Sequence, residues 1–526
     1  METNAILPVF VALPLIVAAV AALSPWKRFT DALAIIIPAI NLVGGIWLYN
    51  YTAEHGTISH VIGLYQGGVG ISFAADRFSA IMLVTTMIVA LSSNWFAIVV
   101  GETQARFFTP LTLVLITGVS GALLTADLFN FFVMIEVMLL PSYGLIAMTG
   151  TRNRLLSARS FVLVNLLAST MLVMGVGYLY AVTGAVNLAA LQGVAAGHGP
   201  ATVATGIVVI AVAAKAGVFP VHTWLPRTYP STSAAVMGLF SGLHTKVAVY
   251  MLMRIWVIMF DMDPRWNGLI IAVMVVSMII GGFAGLAETT MRRVLAYQMV
   301  NGMPFILIVL AFTNNDARYA LAAGLFYALH HMITVGALVL NVGAVEETYG
   351  TGTMSKLSGL ARRDSLTAAV FVAGAFSIVG FPPFSGIFGK VTIMLAAANT
   401  GDWRAWVSIT AIIIASFGAL LAMMRLWKKV FWGRPMQKYP DDLRIRTSFM
   451  LPSAAMMTLS LLMFVFAGNM WDFTTSAVDD LLNVEAYTTA VLGDDAVGIP
   501  DPDSYGHVDP AAEAASEATA DTEGAK

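Results

Sequence analysis

The chain has 526 residues, 58% of them hydrophobic and 11% charged, with 28 Lys+Arg against 30 Asp+Glu and a formal net charge of −2. Soluble domains carry about 25% charged residues, so the polar surface a water-soluble enzyme needs is missing, and the slightly acidic balance, with no basic run longer than two residues, excludes a nucleic-acid binder. Cysteine is absent, which excludes disulfides, thiolate metal sites, iron–sulfur ligation and a cysteine nucleophile. What remains is an all-α, polytopic membrane protein.

A helix crosses the hydrocarbon in about 20 apolar residues. Such runs recur about fourteen times, near 4–23, 30–50, 76–100, 108–126, 128–149, 159–182, 203–222, 231–257, 267–288, 294–313, 317–343, 367–398, 405–431 and 448–470. The first lacks a basic leader and a small-residue cleavage site, so it reads as a retained span. The runs are continuous, not alternating, which argues against a β-barrel. Residues 471–493 are mixed and predict an amphipathic surface helix. Residues 494–526, acidic among Ala, Pro and Gly, predict a disordered tail with no part in chemistry.

Loops after odd-numbered runs hold nineteen of the basic residues, and the other side holds six: Arg77, Arg254, Arg265, Arg318, Arg404 and Lys526. Positive loops stay cytoplasmic, which puts both termini outside. The remaining three basic residues, Lys215, Lys246 and Lys390, fall inside apolar runs, as does Glu136. An ionisable group at mid-membrane costs at least about 2.5–3.5 kcal/mol, so four of them need a reason. One carboxylate cannot neutralise three ammonium groups. Burial disfavours an ammonium and a nearby carboxylate favours it, so a lysine held between the two can bind and release a proton. At an effective dielectric of ~20, a charge pair at ~4 Å is worth about 4 kcal/mol, enough for Glu136 to act as the switching partner of Lys215.

His330 and His331 lie inside another run, and His244 is two residues before Lys246. A single helical histidine is more often a hydrogen-bonded packing residue. Adjacent helix positions point about 100° apart, so at least one of His330 and His331 faces polar surroundings. Their spacing, and the lack of an accompanying acid, argue against a metal. The seventh run is interrupted by Gly217 and Pro220 just after Lys215, and the twelfth by Pro382, Pro383, Gly386 and Gly389 just before Lys390. Paired broken helices mark an inverted-repeat transporter, and inversion accounts for the reversed order of lysine and breaker. The predicted organisation is helices 1–3 in 1–107, a first five-helix repeat (spans 4–8) in 108–257, an inverted second (spans 9–13) in 258–431, helix 14 and the surface segment in 432–493, and the tail in 494–526.

The stretch Lys215-Ala216-Gly217-Val218-Phe219-Pro220-Val221-His222-Thr223-Trp224-Leu225-Pro226, followed by Pro230, Ser233, Ser241 and Lys246, resembles the signature of the antiporter-like subunits. This family is shared by respiratory complex I, membrane-bound hydrogenases and Mrp-type multisubunit cation/proton antiporters. The resemblance extends over most of the fourteen runs. Glu136, Lys215, Lys246 and Lys390 match the family's ionisable residues of the fifth, seventh, eighth and twelfth spans. The length and the form of Gly380–Lys390 look most like the D-type members of Mrp sodium/proton antiporters. The resemblance implies a proton-translocating subunit of a hetero-oligomeric complex in a bacterial inner membrane, surrounded by lipid and partner subunits. It implies proton influx coupled to Na+ efflux through a relay of Glu136, Lys215, Lys246, His330 and Lys390, with no cofactor. Two positions depart from the family: Val335 stands where a lysine is frequent, and Gln298 where a small hydroxyl residue is usual. No cage of carboxylates suited to a hard cation is visible, so sodium is expected elsewhere or at shared interfaces. The alternative is a proton-pumping subunit of complex I or a hydrogenase; a stand-alone solute transporter would need a polar pocket. No catalytic triad, paired carboxylates or phosphate loop suggests an enzyme.

Overall fold

The computed structural model describes residues 3–493 apart from 66, 149, 435, 437 and 441; the expected acidic tail, 494–526, lies outside the described residues. In an apolar run the backbone can satisfy its hydrogen bonds only within the segment, so such runs fold as helices. They are α1 (Val9–Leu23), α2 (Lys27–His55), α3 (Arg77–Val100), α4 (Phe108–Leu124), α5 (Leu128–Ala147), α6 (Arg152–Thr183), α7 (Pro200–Ala216), α8 (Trp224–Thr228), α9 (Ala234–Gly242), α10 (His244–Ile258), α11 (Asn267–Ala284), α12 (Met291–Leu307), α13 (Thr313–Tyr349), α14 (Leu360–Arg363), α15 (Ser365–Val379), α16 (Ser385–Ala398), α17 (Trp403–Leu426), α18 (Thr447–Val465), α19 (Ala467–Leu482) and α20 (Val484–Leu492). Among the described residues, ten helical segments are long and apolar enough to cross a membrane, and α4, α7, α15 and α16 are shorter apolar helices.

The helices form an inner and an outer set. Every residue of α9 and α10 is buried, and most of α12 and α13 is too. The outer helices turn large apolar side chains outward, among them Ile16 on α1, Val43 on α2, Leu167 on α6 and Ile413 on α17. An apolar exterior around a core that holds the polar side chains is what a protein dissolved in lipid requires.

Both expected breaks are present. α7 stops at Gly217, whose φ of 75° is left-handed, and α15 stops at Gly380, φ 96°, before Pro382 and Pro383. A third break was not expected: the eighth run is interrupted at Leu243, between α9 and α10. A short antiparallel ribbon, Ile58–Val61 with Ser72–Ala75, lies between α2 and α3 and has no counterpart in the all-α expectation.

The surface segment is two helices, α19 and α20. α19 is tied down by Arg77–Asp480 at 2.5 Å and Arg318–Asp479 at 2.5 Å. Arg254, grouped above with the outer loops, is instead inside the last turns of α10 at 2% exposure. Asp76, the N-cap of α3, supplies its counter-ion at 2.6 Å, and the rings of Phe78, Tyr250 and Tyr487 surround the guanidinium.

Candidate ion-transfer site

Lys215 occupies the last turn of α7. Its Nζ donates to Ser169 Oγ on α6 at 2.8 Å, and Ser169 Oγ donates to Glu136 Oε1 on α5. The serine hydroxyl therefore links the two groups that the sequence pairs. Among the described residues, none of the three interior lysines forms a direct ion pair. His244 opens α10; its Nε2 meets Ser142 Oγ at 2.9 Å and its Nδ1 meets Tyr229 Oη at 3.2 Å, while the ring stacks on Phe240. Ser142 is on the same helix as Glu136.

Lys246 donates to the Ser241 carbonyl at 2.9 Å, at the interruption between α9 and α10, and to Thr245 Oγ1 at 3.3 Å. Lys390 donates to the Val379 carbonyl at 3.0 Å and to Ser416 Oγ on α17 at 2.8 Å, above the Phe305 ring. All three lysines thus sit at the carbonyl end of an interrupted helix: α7, α9 and α15. The partial negative charge of a helix C-terminus favours a cation there. The breaks accordingly place compact sites of negative potential in the apolar interior.

His331 Nε2 lies 3.2 Å from the Gln298 carbonyl, and His330 Nδ1 lies 2.8 Å from Ser385 Oγ. Electrostatic neighbours run from Glu136 to Lys215 and from Lys215 to His244, then from Lys246 to His331 and from His330 to Lys390. His330 and His331 are adjacent, which carries the second series from Lys246 to Lys390; His244 and Lys246, two residues apart on α10, leave different sides of the helix toward different partners. Among the described residues no three His, Asp or Glu side chains converge as a metal site would need.

Ser169, Ser142, Tyr229 and the Ser241 carbonyl were not anticipated. Hydroxyl residues are common in apolar helices, and only the break at Leu243 could have pointed to the carbonyl. Also unanticipated is a charged group at the side carrying the basic loops. There Arg292 Nε pairs with Glu346 at 2.7 Å, and burial pushes the Glu102 carboxyl up, while the Ser233 hydroxyl and the Arg154 guanidinium draw it back.

Residues 125–420, which contain all of these titratable side chains from Glu136 to Lys390, match the membrane family described as NADH:quinone oxidoreductase/Mrp antiporter. The chain belongs to this family. It is 31% identical over 474 residues to the D-type subunit of the Na(+)/H(+) antiporter of Alkalihalophilus pseudofirmus, covering 87% of this chain and 94% of that protein. A chain in the structure of the Mrp complex from Dietzia sp. DQ12-45-1b superposes with a TM-score of 0.89 at 35% identity, covering 94% of this chain and 100% of the other. A chain of respiratory complex I from Thermus thermophilus shares the fold, with a TM-score of 0.77 at 21% identity over 91% of this chain and 99% of that one. The family is one of multi-pass membrane subunits, and a transport role fits it rather than that of an ordinary enzyme.

Proposed function

We propose that this chain is the D-type, proton-translocating subunit of a multisubunit Na+/H+ antiporter of a bacterial cell membrane, working with other membrane subunits. One observation carries the reading: two series of titratable side chains in an apolar helix bundle, Glu136, Lys215 and His244, then Lys246, His331, His330 and Lys390, all buried except the half-buried Glu136. In a low-dielectric core the charge on each group acts strongly on its neighbour, so loading or unloading one site biases the next. Glu136 and Ser169 hold the proton on Lys215; withdrawal of the carboxylate releases it toward His244 and Lys246. Lys390 receives or delivers it at the other end. The helix breaks at Gly217 and at Pro382 and Pro383 fit this role: the second leaves the Val379 carbonyl to the Lys390 ammonium, and the first ends α7 beside Lys215.

In this reading spans 4–8 and 9–13 are two inverted copies, both termini face outward, and Na+ travels through a partner subunit or a shared interface. The higher identity to the Mrp-complex chain favours this over a complex I role. The test is Na+/H+ exchange in inverted vesicles holding the whole complex. Glu136→Ala and Lys390→Ala are expected to abolish exchange with the complex still assembled. Full exchange in either variant would remove the relay.

A further inference from the structure

His330 and His331 are adjacent on α13 but are held by different kinds of partner. His331 Nε2 faces the Gln298 main-chain carbonyl at 3.2 Å, and its Nδ1 has no partner among the described residues. A carbonyl only accepts, so Nε2 carries the hydrogen and the bond fixes one tautomer. His330 Nδ1 instead meets two hydroxyls, Ser385 Oγ at 2.8 Å and Thr334 Oγ1 at 3.2 Å. Ser460 Oγ lies 2.7 Å from Thr334 and 3.1 Å from Ser385. Ser377 Oγ closes the group at 3.4 Å from Ser460 and 3.5 Å from Ser385. These four residues come from α13, α15, α16 and α18, and none is more than 1% exposed.

A hydroxyl both donates and accepts, and it turns about its own bond. When His330 Nδ1 is a bare lone pair, Ser385 can donate to it. When Nδ1 carries hydrogen, Ser385 accepts and its own hydrogen turns to Ser460, which turns to Thr334 or Ser377. Neither state leaves Nδ1 unpaired in the dry core, where an unsatisfied polar group is costly. The other nitrogen, His330 Nε2, has no partner among the described residues and borders Gly386, where an added Cβ would lie 3.1 Å from it.

We propose that Thr334, Ser377, Ser385 and Ser460 form a hydroxyl cage that positions His330 and lets its imidazole gain and lose a proton inside the apolar core, whereas His331 stays a single-tautomer neighbour. The inference rests on the relay reading above. The step is a proton transfer: the Lys390 ammonium gives one proton to the open Nε2, directly or across a water, leaving an amine and an imidazolium, and the reverse step reloads the lysine. The charged and titratable groups facing His330 are Lys390 from α16, His331 on its own helix and the Tyr327 ring at 5.3 Å; α15 and α18 present the hydroxyls of Ser377 and Ser460. Thr334 directly precedes Val335, where the family resemblance leads one to expect an amine.

The experiment compares Thr334→Val, which keeps the shape and removes the hydroxyl, with Thr334→Ser, which keeps the hydroxyl, alongside Ser385→Ala and His330→Phe. All are assayed as the whole complex in inverted vesicles, with assembly checked by size in mild detergent and with exchange measured across pH. The cage predicts that Ser385→Ala and the Thr334→Val/Ser385→Ala double variant lose exchange by about tenfold or more, equivalent to about 1.4 kcal/mol of barrier, that the pH profile of the residual activity moves, and that Thr334→Ser stays within about twofold of wild type. Equal loss in Thr334→Val and Thr334→Ser would make the site a packing contact and overturn the cage. A wild-type rate and pH profile in the double variant, with His330→Phe inactive, would overturn the cage and leave the relay standing. An active His330→Phe complex would remove His330 from the relay and the cage with it.

Discussion

Ser169 offers the sharpest test of the Glu136–Lys215 switch. Its hydroxyl accepts from Lys215 Nζ at 2.8 Å and donates to Glu136, and the residue is buried at 2% exposure. Ser169→Ala deletes both bonds and little else, since alanine is smaller and suits a helix better. A hydrogen bond to a charged group contributes about 1.5–3 kcal/mol. Loss of one such bond from the proton-transfer step raises its barrier by that amount and slows it roughly ten- to a hundredfold. The assay is sodium-dependent collapse of a pH gradient in inverted vesicles, normalised to assembled complex. Glu136→Gln, which removes the charge itself, should be slower still. A Ser169→Ala complex that exchanges at the wild-type rate would refute the bridge, because the two groups would then communicate without it.

Other consequences are open to measurement. Asp76→Ala strands Arg254 in the interior, which should cost about 3–5 kcal/mol and lower the melting temperature of the complex, whereas Asp76→Asn with Arg254→Met should recover most of it; simple additivity would show that the pair is not coupled. Gly386→Ala would put a methyl 1.7 Å from the Ser377 carbonyl and Gly302→Ala one 1.9 Å from His331 Nε2, so both should abolish activity or assembly, read by exchange and by complex yield. Gly177→Ala, on α6 with open space around it, should be neutral or stabilising by about 0.5–1 kcal/mol in thermal unfolding. The chain has no cysteine, so a single Cys at Arg152 should label with an impermeant maleimide only from the cytoplasm and one at Glu54 only from outside; the opposite pattern would invert the topology.

The long helices were legible because an apolar run has few alternatives, and the interior lysines because an amine in such a run stands out at once. The breaks at Gly217 and Gly380 were legible from Pro220, Pro382 and Pro383. The break at Leu243 was not: its single neighbouring glycine, Gly242, is of a kind that apolar helices tolerate. Hydroxyl partners were silent for a related reason. Thr52 and Thr117 bond back to their own helix carbonyls, as such residues commonly do, and nothing local separates them from Ser169 or Ser460. Arg254 read as a loop flank because it closes a run, while the carboxylate that draws it inward is far away in sequence at Asp76.

The complete enclosure of α9 and α10 bears on how the polypeptide is made. This segment carries Lys246, His244 and Arg254 and is the least apolar of the ten long segments, so on leaving the translocon it is poorly suited to bare lipid. Its counter-ion is already synthesised, on α3, but α12 and α13, which complete its surroundings, are not. Biogenesis must therefore shelter the segment until the later helices arrive, and a chaperone or insertase that holds partly finished chains would find its client here.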